Sequence, residues 1–461
     1  MTMYIRGRVP KPGNRYLQLV ALIAIVLAVN SALSGCSSDS NEEEAGTVDC
    51  TPVNWDNPGN VPSPTVEKVA ADAGKGFAFG RFKDIREFGY VEEEFFFSNT
   101  TPAEYTSRIL VRRPEAPSKY SGTVFVEWVN VSGGIDFATE WTYSREYFMR
   151  EGHVHVGVSA QRVGANALKN RCDPERYAAI NHPGDGFAQA IFSQAGEAIR
   201  SQGELILGPC MPVHAVIAIG QSQSSMMLAL YINRRHATDK IYDGYVPHSG
   251  MEPVSNDNGV PVFIVTTMSE GNMRLTTGPN LAKWVLAGAT HSDVFETTRG
   301  LEVADDLGME VEALECAFPG NTYPAWRVYN AVWDWMHRWV RKGEKPPEAP
   351  LLTGGRGAYQ LDEHGNVMGG VRLPEIDVPT ATYTMWNRAA NPLDFASAMA
   401  CIFMGATETF TAEKLLLLYP THDDYVQKYT AAAEKALAAG YILEEDYEDA
   451  IEEAKNAPIP N

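Results

Sequence analysis

The sequence predicts an α/β fold, a mostly parallel central sheet flanked by helices on both faces, with a C-terminal β/helical extension. Two observations carry this. Short apolar runs alternate with helix-like segments over more than 150 residues in the first two thirds of the chain. Several of those runs are apolar at nearly every position, as strands covered on both faces must be, instead of alternating as one-sided strands do.

The elements follow in order. "FGYVEEEFFF" and "YTSRILVRRP" alternate and read as strands near a sheet edge, while "TVFVEWVN" is nearly all apolar and reads as a central strand. "REYFMREGHVHVGVSAQR" gives a helix end, a turn at Gly152 and a further buried strand. "PGDGFAQAIFSQAGEAIRSQ" is a helix, "HAVIAIG" a strand running into a helix, and "KIYDGYVPHS", "VPVFIVTTMSEGN" and "AKWVLAGATHSD" are strand-containing segments. "YPAWRVYNAVWDWMHRWVRKG" is a helix that should stop at Gly343, with Pro346 and Pro347 beyond it. A β-like excursion turns at Gly365-Asn366, and the last 70 residues are helical with acidic faces. The expected organisation is a leader over 1–35, a tether over 36–60, a main domain over 61–350 and an extension over 351–461 that could cap it.

Composition narrows the function. With 461 residues, 44% of them hydrophobic, the chain can bury a large core. A formal charge of -20 opposes nucleic acid as a partner, because phosphate recognition needs a basic face. No spaced Cys/His set, Walker motif or dinucleotide fingerprint is present, so no metal or organic cofactor is expected.

One corner stands out. Gly220-Gln221-Ser222-Gln223-Ser224 ends an apolar strand and opens a helix. In the G-x-S-x-G class of turn, small residues on either side let strand and helix pass closely enough to expose the serine hydroxyl. Here the last small residue is Ser224, a departure from glycine. The Gln223 N–H, at the start of the helix, is placed to face a developing oxyanion. The alternative is an ordinary turn with a capping serine.

A serine hydroxyl needs a base, and the base an orienting carboxylate, in chain order Ser, acid, His. His291 follows the strand-like "KWVLAG" after a short loop and is the candidate base. His248, at the end of another strand, is the second candidate. Glu270 lies just past "VPVFIVTT", 21 residues before His291, where carboxylates at strand C-termini face the ligand crevice, and it is the candidate acid. Asp243 falls early for that role, and Asp293 sits too close to His291 to orient it.

"VFVEWVNVSGG", "GVSAQRVG", "HPGDGFAQAIFSQAG", "AIGQSQSS", "AGATHSD" and "GNVMGGVRLPEIDVPTATY" together resemble the bacterial proteins described as α/β-hydrolase domain-containing. The resemblance runs from about residue 60 to the C-terminus. It implies an α/β-hydrolase fold with Ser222 as nucleophile, His291 as base and an acid at or beside Glu270, a loop in which many relatives carry aspartate. In that fold a glycine-containing loop after the third strand supplies a second oxyanion N–H, which puts Asn130 and Val131 forward; Gly133 and Gly134 could equally make a simple turn. The implied activity is hydrolysis of a small carboxylic ester through an acyl-enzyme. A non-catalytic surface protein that keeps the fold as a binding module is the alternative.

The N-terminus has its own signal. Arg6, Arg8, Lys11 and Arg15 precede an apolar run over 17–33 and then small residues, the pattern of an export signal. "LSGC" resembles a bacterial lipobox, which implies lipidation at Cys36 and attachment to the cell envelope, and Ser37 after the cysteine favours the outer membrane or cell surface. A non-cleaved signal anchor is the alternative. Five further cysteines, Cys50, Cys172, Cys210, Cys316 and Cys401, would sit where disulfides persist, and their odd number leaves at least one unpaired.

Overall fold

A computed structural model describes residues 50–459 except 71–77, 79, 81–84, 256–257, 273–277 and 307–313. The leader, Cys36 and most of the tether lie outside the described residues. Among those described, no helix is long and apolar enough to cross a membrane.

Nine strands form one sheet: β1 (Thr65–Lys68), β2 (Tyr90–Asn99), β3 (Tyr105–Pro114), β4 (Thr123–Trp128), β5 (Val154–Val158), β6 (Ala215–Gln221), β7 (Gly244–His248), β8 (Val262–Thr267) and β9 (Leu281–Leu286). Their order is β1-β2-β3-β5-β4-β6-β7-β8-β9. The first four neighbours pair antiparallel, and from β5 to β9 every pair is parallel. The alternating sequences are thus the antiparallel edge, and the continuously apolar ones the parallel centre. The short β1 carries no alternation long enough to be read, and the sequence reading missed it.

Strand β4 shows how the two faces are filled. Val124, Val126 and Trp128 join Val216 and Ala218 of β6 in the core on one face; Phe125 joins Ile217 and Ile219 on the other. The first face is covered by α2 (Ala188–Ser201) and α3 (Gln223–Tyr231), the second by α1 (Thr139–Arg150) and α5 (Ala325–Lys342). Helix α5 ends where expected, on Gly343 at φ +75°. The second core runs on into the extension, taking in Leu352, Val371, Tyr383 and Ile442. These residues join the same core, while Val378, Tyr419, Tyr425 and Tyr429 form a separate cluster within the extension.

Glu127 belongs by alternation to the second face. It is fully buried, and its carboxylate accepts the Glu140 and Trp141 N–H groups at 3.0 and 3.3 Å, so it closes the first turn of α1. His155 Nε2 lies 2.7 Å from it, and Arg112 bridges His155 to Glu92. Helix α4 (Val294–Asp306) is started by Asp293, which accepts the Glu296 N–H at 2.8 Å.

Two disulfides fix the periphery, Cys50–Cys210 and Cys316–Cys401, and Cys172 is free. The first pins the N-terminal segment to the loop before β6. The second ties the loop before α5 to helix α6 (Phe395–Met404) in the extension. Loops of this length make each bridge worth about 4–5 kcal/mol in the chain-entropy account. Peptide mapping under non-reducing conditions should recover both linkages with Cys172 alkylated, and reduction should lower the melting temperature; a Cys172 linkage would contradict the pairing.

The start of α4 makes stability depend on pH. Burial pushes the Asp293 carboxyl up to about 7; burial, with the Asp293 charge beside it, pushes Glu296 up to about 8. Both bind a proton more tightly folded than unfolded. The stability they contribute is complete below about pH 4 and is lost as pH rises through about 7 and about 8. Asp293→Asn keeps the helix-capping acceptor and removes one titration, so its unfolding free energy should fall on the order of 2–4 kcal/mol less than wild type between pH 4 and 8. Parallel curves in denaturant titrations would contradict this.

Candidate active site

The strand order reverses about β4, which has β5 on one side and β6 on the other. In open α/β sheets the crevice at the strand C-termini near such a reversal is where ligands bind. The loops after β4, β5, β6, β8 and β9 carry Asn130, Gln161, Ser222, Glu270 and His291 respectively.

Ser222 sits between β6 and α3 at φ +61°, ψ -118°. A non-glycine residue there costs about 1–3 kcal/mol of backbone strain. The corner is held on both sides: the Ser222 N–H donates to the His248 carbonyl at 2.9 Å, and the Ser222 carbonyl accepts the Met226 N–H at 3.1 Å. Glycine at position 220 is explained by close passage, because a Cβ there would meet Ser224 Cβ at 3.2 Å. Ser224 is buried, so a small residue is required where the G-x-S-x-G pattern has its last glycine.

Three predicted residues meet at this corner. Ser222 Oγ lies 2.7 Å from His291 Nε2, and His291 Nδ1 lies 2.6 Å from Glu270 Oε1. The second carboxylate oxygen, Oε2, accepts the Thr267 N–H at 3.0 Å and the Thr267 hydroxyl at 2.7 Å. Burial alone would raise the Glu270 carboxyl. The hydrogen bond and charge of His291, with the two Thr267 donors, outweigh it and hold Glu270 below the ordinary carboxylate range. A charged Glu270 accepts the Nδ1 proton, which leaves Nε2 as the acceptor facing the Ser222 hydroxyl. Ser222 and His291 are both partly exposed and open to a ligand.

Several supports were not read from the sequence. Gln221 Nε2 donates to the His291 carbonyl at 3.0 Å, and the His291 N–H donates to Ser269 Oγ at 3.1 Å, so the histidine backbone is gripped from two sides. Gln161 Oε1 accepts from Gln223 Nε2 at 2.9 Å and from Trp128 Nε1 at 3.0 Å. A glutamine just past a strand end is the only local sign of such a role.

The expected oxyanion loop needs one correction. The Asn130 N–H is spent on the Phe137 carbonyl at 2.8 Å, and Phe137 returns the bond at 2.9 Å. The Asn130 side chain instead joins its loop to the nucleophile strand, donating to the Gln221 carbonyl at 3.1 Å and accepting the Ser132 N–H at 2.8 Å. Val131 follows it and is buried. The Gln223 N–H begins α3, where no preceding turn can accept it.

The second candidate base is excluded by position. His248 is 1% exposed, its Nδ1 lies 3.1 Å from Glu140, and Tyr329 packs on its ring at 4.3 Å. What it offers the corner is its carbonyl, which accepts the Ser222 N–H. Asp243 is held by Arg200 and the Val216 N–H, away from the histidine. No group of three His, Cys, Asp or Glu among the described residues is arranged to hold a metal.

The chain matches a known family and has weaker likenesses among solved structures. Residues 60–452 match the family described as "Alpha/beta hydrolase domain". Among solved structures, a fungal esterase from Rhizomucor miehei is 12% identical, with 48% of this chain and 84% of that one covered at a TM-score of 0.30. Esterase Est22 is 10% identical, with coverages of 47% and 80% and a TM-score of 0.33. An esterase from Pyrococcus furiosus is 9% identical, with coverages of 46% and 86% and a TM-score of 0.30. No curated protein matches the chain. The family match spans all nine strands of the sheet, and the chain belongs to the α/β-hydrolase domain family.

Proposed function

We propose that the protein is a serine hydrolase that cleaves a carboxylic ester through a Ser222-His291-Glu270 triad and an acyl-enzyme intermediate. The observation that carries this is the continuous hydrogen-bonded line from the strained Ser222 hydroxyl through both His291 nitrogens to the Glu270 carboxylate. His291 Nε2 takes the Ser222 proton as Oγ attacks the ester carbonyl. Glu270 holds the imidazole in the required tautomer and stabilises the imidazolium. The oxyanion is received by the Gln223 N–H, with Val131 supplying the second donor from the β4 loop; one such donor is worth about 2.7–4 kcal/mol. The His291 Nε2 proton then passes to the alkoxide oxygen, the ester C–O bond breaks and the alcohol leaves. A water molecule, deprotonated by His291, then attacks the acyl carbon; the C–Oγ bond breaks, His291 returns the proton to Ser222 Oγ, and the carboxylic acid leaves. No step calls for a metal or an organic cofactor.

The same reading places the enzyme outside the cytoplasm, lipid-anchored to the bacterial envelope through Cys36, acting on small-molecule esters and not on nucleic acid. The basic N-terminus, apolar run and "LSGC" support the anchor, and the net charge of -20 opposes nucleic acid. A lipoprotein carrying more than one acyl chain partitions firmly into a membrane. Cys36→Ala should release the protein from the membrane fraction; unchanged fractionation would contradict the anchor.

Fluorophosphonate labelling and turnover of p-nitrophenyl esters test the chemistry. Wild type should label at Ser222, and Ser222→Ala should lose labelling and roughly 10⁵–10⁶ in kcat. Glu270→Gln should lose about 10⁴ with KM nearly unchanged, because it leaves the site's shape and removes the carboxylate that fixes the tautomer. Folded wild type that neither labels nor hydrolyses would overturn the proposal.

A further inference from the structure

Helix α6 belongs to the extension, yet its C-terminal end is fastened to both sides of the histidine. Phe403 and Met404 offer their carbonyls to the Ser292 N–H at 3.1 Å and the Thr290 hydroxyl at 3.0 Å. The Phe403 ring packs against the His291 imidazole, centroids 4.6 Å apart. Cys401 faces inward, fully buried in its disulfide with Cys316. On the opposite side of the helix, Met399, Ile402 and Phe403 are 36, 44 and 41% exposed. Their spacing of i, i+3 and i+4 sets them in one stripe. The result is a covalently braced strip of apolar surface that begins on the imidazole and leads away from it.

The chemistry says which part of an ester lies there. His291 Nε2 must hand its proton to the oxygen of the departing alkoxide, so that oxygen has to come within hydrogen-bond reach of the imidazole edge. The carbon attached to it is then carried past the ring, whereas the acyl carbon stays on Ser222 Oγ and its oxygen on the N–H donors. The group that meets Phe403 and the stripe is the alcohol and not the acid.

Resting on the triad reading above, we propose that Phe403, Ile402 and Met399 form the alcohol subsite and that the enzyme selects esters of apolar, medium-length alcohols. Four residues of helix rise about 6 Å, room for on the order of four or five methylenes. Full burial is worth about fourfold in kcat/KM per methylene, and a strip open on one side on the order of twofold. The apolar wall acts by packing, so its substitution should tilt the dependence on alcohol length and spare the chemistry.

Two ester series measured by pH-stat test this: butyrates of ethanol through octanol, and methyl esters of acetate through octanoate. Wild-type kcat/KM should climb along the alcohol series by on the order of twofold per methylene through about hexyl. The exposed double substitution Met399→Ser/Ile402→Ser should flatten that climb and leave the acyl series and fluorophosphonate labelling unchanged. A flat wild-type alcohol series, an unaltered climb in the variant, or a change confined to the acyl series would overturn the subsite while leaving the triad standing. Failure of wild type to label or to hydrolyse any ester would bring down both.

Discussion

Everything at the site depends on one backbone constraint, the left-handed bend at Ser222 between a fully buried strand and the helix that follows it. A bend of that kind is held only if its surroundings overdetermine it. Here the flanking hydrogen bonds come from β7 and α3, and the strand beneath is packed on both faces. The strain is therefore supported by the same core that makes the sheet stable. In return the hydroxyl stands clear of the backbone, and the helix N-terminus opens beside it.

Reach is the second constraint. The three side chains come from loops after β6, β8 and β9, and their line survives only if each loop ends at a fixed height. Thr267 sets the carboxylate, Gln221 and Ser269 set the histidine backbone, and α6 sets the loop on either side of it. The extension thus helps hold the β9 loop, while it is itself packed partly into the second core and partly around a cluster of its own. Below the site, ionisable side chains are buried against one another. Glu127 with His155 and Glu140 with His248 lie under α1, and Asp293 and Glu296 start α4. Buried polar groups cost least where they hydrogen-bond one another, and the Asp293 and Glu296 carboxyls, pushed up by burial, make the start of α4 sensitive to proton concentration.

How much of this was legible follows from how local each signal is. Strand β4 was readable because two-sided burial leaves a nearly unbroken apolar run, and α5 because its period and its Gly343 stop agree. Ser222 was readable from a glycine at the end of such a strand and a helix at once beyond it, and Glu270 and His291 from lying just past strand ends. Asn130 was misassigned because the freedom of its N–H is decided by Phe137, seven residues on, through a bridge that no periodicity announces. The role of Glu127 has no local sign, because a buried carboxylate has no pattern of its own and only the position of α1 gives it a purpose. The cysteine pairing was equally out of reach, since the linkages span 160 and 85 residues. The role of α6 depends on tertiary packing alone.

The central claim is that the bend, the imidazole and the helix N-terminus act on a single reacting centre. Its most direct test is a crystal structure of the protein after reaction with diethyl p-nitrophenyl phosphate. The account predicts phosphorus bonded to Ser222 Oγ, with the phosphoryl oxygen about 2.7–3.1 Å from the Gln223 nitrogen and His291 still paired with Glu270. Phosphorus on another residue, or a phosphoryl oxygen turned away from the start of α3, would contradict it.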